Sequence, residues 1–186
     1  MRKLVVTQNI SLDGSIEFLG DWFSPQGQTE IDQSDLIAEI HRQDSQADGL
    51  LVGRQTFEDF RGYWPTLTDD TSGISAYLNQ VDKYVVSSTL TEPGWENTTV
   101  VNGEVAAEVD ALKRLSGKDI VLTGSIRLCH AVIAAGLVDE YRLFTYPAVQ
   151  GRGRRLFPEG LEVPRLRLEE VKGFTSGVTL ARYATV

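Results

Sequence analysis

A single cysteine, Cys129, stands in 186 residues. It excludes an internal disulfide and suits a reducing compartment. Only two histidines occur, His41 and His130, and neither has a second histidine or a cysteine at metal-ligand spacing. A metal centre and a nucleophilic hydrolase therefore lack their constellations; Cys129 itself lies in an apolar helical stretch and reads as core. Positive charge is also scarce: 18 Lys and Arg face 26 Asp and Glu, for a net charge of -8. Phosphate-backbone binding needs a basic face, so nucleic acid is not an expected partner. No apolar run approaches the length of a membrane span. The run Leu4 to Val6 after two basic residues is far too short for a signal peptide, since Thr7, Gln8 and Asn9 follow at once. The expectation is a cytoplasmic protein without a membrane partner. Three phosphate-binding or nucleophile motifs are missing: G-x-x-x-x-G-K-[ST], an early G-x-G-x-x-G and G-x-S-x-G.

What is present is an ordinary globular composition, 41% hydrophobic and 24% charged, in a chain long enough for one domain with a sizeable core. No repeat, linker or low-complexity segment divides residues 1–186. Strand patterns fall at 3–10, 50–52, 83–88, 98–101, 119–122 and 140–146. Helical periodicity covers about 31–43, the stretch from about Gln55 to Pro65, 74–81, 105–116 and 126–135. Gly136 ends the last of these. Residues 17–30 show no period and carry Trp22, Phe23 and Pro25, either as a cover over a pocket or as a stiff connection. After a glycine-rich basic loop, Gln150 to Phe157, the segments 165–171 and 178–185 alternate as a closing antiparallel pair. Strand–helix alternation early and strands only late predict an α/β fold: a mixed, mainly parallel sheet flanked by helices, with antiparallel edge strands at the end.

Three predicted strand ends carry similar groups: Gly53-Arg54-Gln55-Thr56, Ser87-Ser88-Thr89 and Thr123-Gly124-Ser125. Ligands of open α/β sheets sit outside the carboxyl ends of the strands. If these strands are parallel, helix-start amides, hydroxyls and a guanidinium share one rim, which suits a ligand with several phosphates, a dinucleotide best. Each cluster read alone is equally an ordinary strand-to-helix turn.

The segments LLVGRQTFEDF, KYVVSSTL and IVLTGSIRL, in that order, resemble the dihydrofolate reductase fold family. VVTQNISLDGSI and YRLFTYPAVQGRGRRLFP are similar to one branch of it, the reductase domain of riboflavin-biosynthesis deaminase-reductases (RibD C-terminal type) with its stand-alone bacterial relatives. The resemblance covers nearly the whole chain. It implies an NADPH site, hydride transfer to a small heterocyclic or imine-like substrate, pteridine- or ribosylamino-pyrimidine-like, and a homodimer.

By position, Gly53, Arg54, Gln55 and Thr56 would hold the pyrophosphate and the adenosine-side phosphate. Ser87, Ser88 and Thr89 would line the 2′-phosphate pocket. Gly124, Ser125, Ile126 and Arg127 would meet the pyrophosphate and nicotinamide side, with Thr123 replacing the first glycine of the family's usual pair.

The substrate end departs further from the pattern. Hydride reduction needs a proton donor or a polarising group beside the acceptor atom. Glu30, Asp32 and Asp35 lie where folate reduction uses a carboxylate, but no local pattern selects one. Ser15 stands where the riboflavin branch has a lysine, and a chain without an attached deaminase domain is the expectation. Asp13, either a substrate contact or the shaper of an Asp-Gly turn, and Tyr146, either a substrate contact or a structural tyrosine, are the catalytic candidates. A binding protein on the same fold that does not catalyse is the alternative, and a structural subunit with an empty pocket a third reading.

Overall fold

The computed structural model describes residues 1–24 and 31–186. Eight strands form one sheet in the order β4-β3-β2-β5-β1-β6-β8-β7. They are β1 (Leu4–Ser11), β2 (Ala47–Gly53), β3 (Asp82–Val86), β4 (Thr98–Val101), β5 (Asp119–Leu122), β6 (Glu140–Tyr146), β7 (Arg167–Gly173) and β8 (Thr179–Ala184). The first six are mutually parallel; β8 runs antiparallel to β6, and β7 antiparallel to β8. Leu4, Val5 and Val6 are fully buried, as a central strand covered on both faces requires.

Five helices connect the strands: α1 (Ser34–Asp44), α2 (Arg54–Tyr63), α3 (Ile74–Gln80), α4 (Val105–Arg114) and α5 (Ile126–Ala134). Right-handed crossovers decide their side. The chain runs from β1 toward β4 across one direction of the sheet, then returns through β5 to β6. Accordingly, Phe57, Trp64 and Leu78 pack with Leu50 and Val52 on one face, where Leu36 of α1 also meets Phe144 and Leu180. Val109 and Leu112 of α4, and Leu128, Val132 and Ile133 of α5, pack with Val6, Leu51 and Leu122 on the other.

The element types follow the sequence expectations, with shifts at the ends. The helix expected from Ile31 starts at Ser34, where the Asp32 carboxylate accepts from the Ser34 amide, and Ile31 is exposed outside it. The strand expected to run through Ser88 stops at Val86, since the Ser87 hydroxyl accepts from the amides of Thr89 and Leu90 and turns the chain. Pro65 sits inside a short 3-10 turn, Trp64–Thr66, after α2. Of the expectations for residues 17–30, those resting on Pro25 and Glu30 lie outside the described residues.

Candidate functional site

Helix α2 leaves β2 on one face, and helix α5 leaves the neighbouring β5 on the opposite face. Their divergence opens a crevice at the carboxyl ends of these two strands, a topological switch point. Two hydrogen bonds lock its walls together. The Gly53 amide donates to Ser125 Oγ at 2.9 Å, and the Ser125 amide donates to Thr56 Oγ1 at 3.0 Å. Gly124 and Ser125 both have left-handed backbones, φ 56° and 48°. Only Gly124 is free of a Cβ penalty there, so Ser125 holds a strained conformation fixed by both of its polar groups. A Cβ on Gly124 would lie 3.0 Å from the Thr56 methyl. Buried Gln8 braces the same turn, donating through Nε2 to the Gly124 carbonyl at 2.9 Å and to Cys129 Sγ at 3.1 Å.

Neither helix start at this crevice has a side-chain cap or an acidic residue in its first turn. Helix α4 contrasts: the Glu104 carboxylate caps it, accepting from the amides of Ala106 and Ala107. Uncapped amides and the positive end of the helix dipole favour an anion. Gly53 adds a second signal. Its φ of -81° suits any residue, and a Cβ there would meet only Ser125 at 3.8 Å, an ordinary contact. Nothing within the described chain requires glycine at this position, and its absent side chain leaves room in front of the crevice.

The β3 tip joins the same rim. Arg54 Nη1 donates to Thr89 Oγ1 at 2.6 Å, while its Nε pairs with Glu58 at 2.8 Å. Ser87 spends its acceptor lone pairs on the turn and retains its hydroxyl proton; Ser88 is exposed beside it. Gln55 bonds Asp59 on its own helix at 2.9 Å. Arg127 is exposed in the first turn of α5, and Ile126 packs into the core below. Gly53, Thr56, Gly124 and Ser125 are thus brought into direct contact. Arg54 and Thr89 extend the row by one strand, whereas Gln55, Ile126 and Arg127 line its margins.

At the other end of the rim, β1 and β6 finish side by side with Ser11 paired to Tyr146. Asp13 lies in the loop that follows. Its carboxylate accepts from Ser11 Oγ at 2.6 Å, the Gln150 amide at 3.1 Å and the Gly151 amide at 2.7 Å. The Ser11 hydroxyl and then these two amides hold the carboxyl at about 2, so Asp13 is ionised at neutral pH and is no proton donor. It clasps two loops and reaches outward only as an acceptor. Burial pushes the Tyr146 hydroxyl up to about 12, leaving it protonated and able to donate. Trp22 and Phe23 pack edge-on against this ring, with centroids at 5.4 and 5.6 Å. Of the acidic candidates, Asp35 accepts from the Thr175 amide and hydroxyl, and Asp32 from the Ser34 amide. Both carboxylates are occupied with loop structure, and Glu30 lies outside the described residues.

Gln150, which sequence reasoning passed over, organises this end. Its Oε1 accepts from Trp22 Nε1 at 2.7 Å and the Leu19 amide at 3.0 Å; its Nε2 donates to Ser15 Oγ and the Arg152 carbonyl, both at 2.8 Å. Its one sequence signal is a lone amide side chain at the entry to a glycine-rich loop. Beside it Asp13, Ser15, Gly151, Arg152, Gly153 and Arg155 line a cleft of about 360 Å³. A larger hollow of about 600 Å³ between α1 and β7 is lined by Asp35, Glu39, Arg42 and Lys172. Arg42 and Lys172 are paired with Glu39 there. Cys129 is fully buried, with its thiol pushed up to about 12 by burial, so it is an inert core residue. No cluster able to hold a metal ion occurs among the described residues, and no described helix is long and apolar enough to cross a membrane.

A doubly wound parallel core with this rim and an antiparallel carboxyl-terminal pair defines a single-domain dihydrofolate reductase-like α/β protein. The model of the RibD C-terminal domain matches residues 2–180, and the chain belongs to that family, whose domain is a reductase fold. It is 31% identical to the uncharacterized protein YyaP of Bacillus subtilis (strain 168), over 98% of this chain and 94% of YyaP. In fold it is similar to a pyrimidine reductase-like protein of Corynebacterium diphtheriae, with TM-score 0.68, 19% identity and coverage of 100% of this chain and 92% of that one. It is also similar to the diaminohydroxyphosphoribosylaminopyrimidine deaminase/5-amino-6-(5-phosphoribosylamino)uracil reductase of Thermotoga maritima, with TM-score 0.65 and 14% identity. All of this chain aligns with 57% of that longer protein.

Proposed function

We propose that the protein is an NADPH-dependent reductase acting on a small heterocyclic or imine-like substrate, of pteridine or ribosylamino-pyrimidine character. The observation that carries this reading is the pair of uncapped helix starts, α2 and α5, interlocked at the switch point. Gly53, Thr56, Gly124 and Ser125 would hold the pyrophosphate of the cofactor. Arg54, with Ser87, Ser88 and Thr89, would take the adenosine 2′-phosphate, and Arg127 would flank the phosphates. The bound cofactor supplies the hydride. The chain's own residues orient and enclose: Trp22 and Phe23 roof the β6 end and exclude water, and the protonated Tyr146 hydroxyl polarises the acceptor atom. A reducing, cytoplasmic setting agrees with the one buried thiol, and a homodimer with the family resemblance.

The test separates the two phosphate sites. NADPH and NADH are titrated against the protein by nicotinamide fluorescence, and against Arg54→Ala. A charge-assisted contact to phosphate contributes about 1.5–3 kcal/mol, so Arg54→Ala should weaken NADPH by roughly 10- to 150-fold and leave NADH nearly unchanged. Equal wild-type affinities would refute the 2′-phosphate assignment. A second reading, a nucleotide-binding protein that does not catalyse, is favoured by Asp13, Asp32 and Asp35, the described acidic candidates, all being engaged in loop hydrogen bonds. Tight NADPH binding without turnover of imines, dihydropteridines or ribosylamino-pyrimidines would select it.

A further inference from the structure

The cleft of about 360 Å³ beside Gln150 holds positive charge that the described chain leaves unneutralised. Carboxylates are in excess here, 26 acids against 18 bases. Arg154 finds one, pairing with Glu17 at 2.6 Å. Its neighbours Arg152 and Arg155 are exposed and line the cleft, and neither has an ion-pair partner among the described residues. Arg152 gives one hydrogen bond, from Nη2 to the Leu19 carbonyl at 3.2 Å. The Arg155 guanidinium lies over Gly14, where a Cβ would come within 3.0 Å of its Nη1.

Ser15 adds a buried donor to the same cleft. It is 3% exposed, and its hydroxyl oxygen accepts from Gln150 Nε2 at 2.8 Å and from the Glu17 amide at 3.3 Å. Both lone pairs are thereby used. No acceptor among the described residues takes the hydroxyl proton, which a buried hydroxyl otherwise places. Gly153 clears the approach, since a Cβ at that position would collide with Ser15 Oγ. Asp13 is the carboxylate among the described lining residues, ionised and already accepting from Ser11 Oγ and the Gln150 and Gly151 amides. The lining therefore carries two positive charges and one negative.

We propose that this cleft binds a carboxylate of the substrate, through the Arg152 and Arg155 guanidiniums and the Ser15 hydroxyl. The assignment rests on the reductase reading only in calling the ligand a substrate. The volume lies at the small end of ligand pockets. A guanidinium takes a carboxylate in its fork, and the serine proton supplies a further donor. Charge balance selects the anion. A carboxylate cancels the surplus of one positive charge, whereas a dianionic phosphate would leave a negative charge beside Asp13 in a chain already at -8. Gln150 links the cleft to the reacting end: it donates to Ser15 and accepts from Trp22, which packs edge-on against Tyr146 at 5.4 Å. An acid held here sits one side chain away from the aromatic group that roofs Tyr146. The substrate is then a heterocyclic carboxylic acid and not a phosphorylated compound.

The test uses benzoate, its neutral isostere benzamide, and inorganic phosphate at about pH 8, where it is a dianion. Each is titrated at constant ionic strength without cofactor, and binding is read from amide shifts in isotope-labelled protein. Benzoate should shift the amides of Ser15 and of residues 151–155 saturably, and benzamide and phosphate should bind at least about tenfold more weakly. Arg152→Ala and Arg155→Ala, both at exposed positions, should each weaken benzoate by about tenfold or more. Arg114→Ala, in the last turn of α4 and away from the carboxyl rim, should leave it unmoved. The NADPH titration separates the two readings: lost cofactor binding with intact benzoate binding would sink the reductase alone, and the reverse would sink this site alone. No saturable shift at those amides, equal binding of benzamide, tighter binding of phosphate than of benzoate, or equal weakening by Arg114→Ala would each overturn the proposal.

Discussion

Replacing Gly124 with alanine strains the crevice at its tightest point. The residue has φ 56°, and the new methyl would lie 3.0 Å from Thr56 Cγ2 and 3.3 Å from its Oγ1. An alanine in the left-handed region costs about 1–2 kcal/mol. Pushing Thr56 aside weakens the hydrogen bond from the Ser125 amide, 3.0 Å long, by about 1 kcal/mol more. We therefore expect Gly124→Ala to lose about 2–3 kcal/mol in urea unfolding, or roughly 5–10 °C in Tm for a chain of this size. Thr56→Ser removes the crowded methyl but keeps the acceptor oxygen. The double variant should recover about 1 kcal/mol of what Gly124→Ala lost, and the coupling isolates the contact from the backbone term. A loss under about 0.5 kcal/mol would show that the turn relaxes freely. A double variant no better than the sum of the singles would show that Thr56 is not what the methyl meets. Under the proposed function, NADPH affinity should fall and recover in the same order.

Two further outcomes are expected. Burial raises the Asp44 carboxyl to about 6, against the pull of His41 and Arg142. The folded protein then binds more protons than the unfolded chain between about pH 4 and 6, so this residue's contribution to stability falls as pH rises through that window and stays lost above it. Asp44→Asn should stabilise by up to about 3 kcal/mol at pH 7.5 and by little at pH 4, in denaturant melts at the two pH values; equal effects at both would contradict the burial argument. Gln150→Ala removes three side-chain hydrogen bonds to the 15–22 segment and a fourth to the Arg152 carbonyl of its own loop. A loss of about 2 kcal/mol, with red-shifted tryptophan emission and faster exchange confined to those segments, would follow; unchanged emission would mean that Trp22 does not depend on the clasp.

Much of the fold was legible in the chain. The runs Leu50 to Val52 and Asp119 to Leu122, each closed by a glycine turn and a periodic helix, announce parallel strands because buried strands need no alternation. The grouping of Gly53, Arg54, Thr89, Gly124 and Ser125 rested on strand direction, and the sheet does place β3, β2 and β5 side by side and parallel. Helix α1 was legible in type but not in extent. Its buried Glu39 and Gln43 read as surface residues until Lys172, 133 residues away, joins Arg42 in pairing with Glu39, which also accepts from Gln43.

The sequence by itself determined local matters: which segments are strand or helix, where glycine turns interrupt them, and that hydroxyls and a guanidinium cluster at three strand ends. These depend on side-chain period and backbone freedom, which act within a few residues. Only the tertiary structure decided that Asp13 clasps loops instead of carrying a proton, that Gln8 and Gln150 brace the site, and that Lys172 of β7 reaches Glu39 of α1. Those roles depend on partners more than 100 residues away, and hydrogen bonding and desolvation act through space, where chain order holds no record of distance.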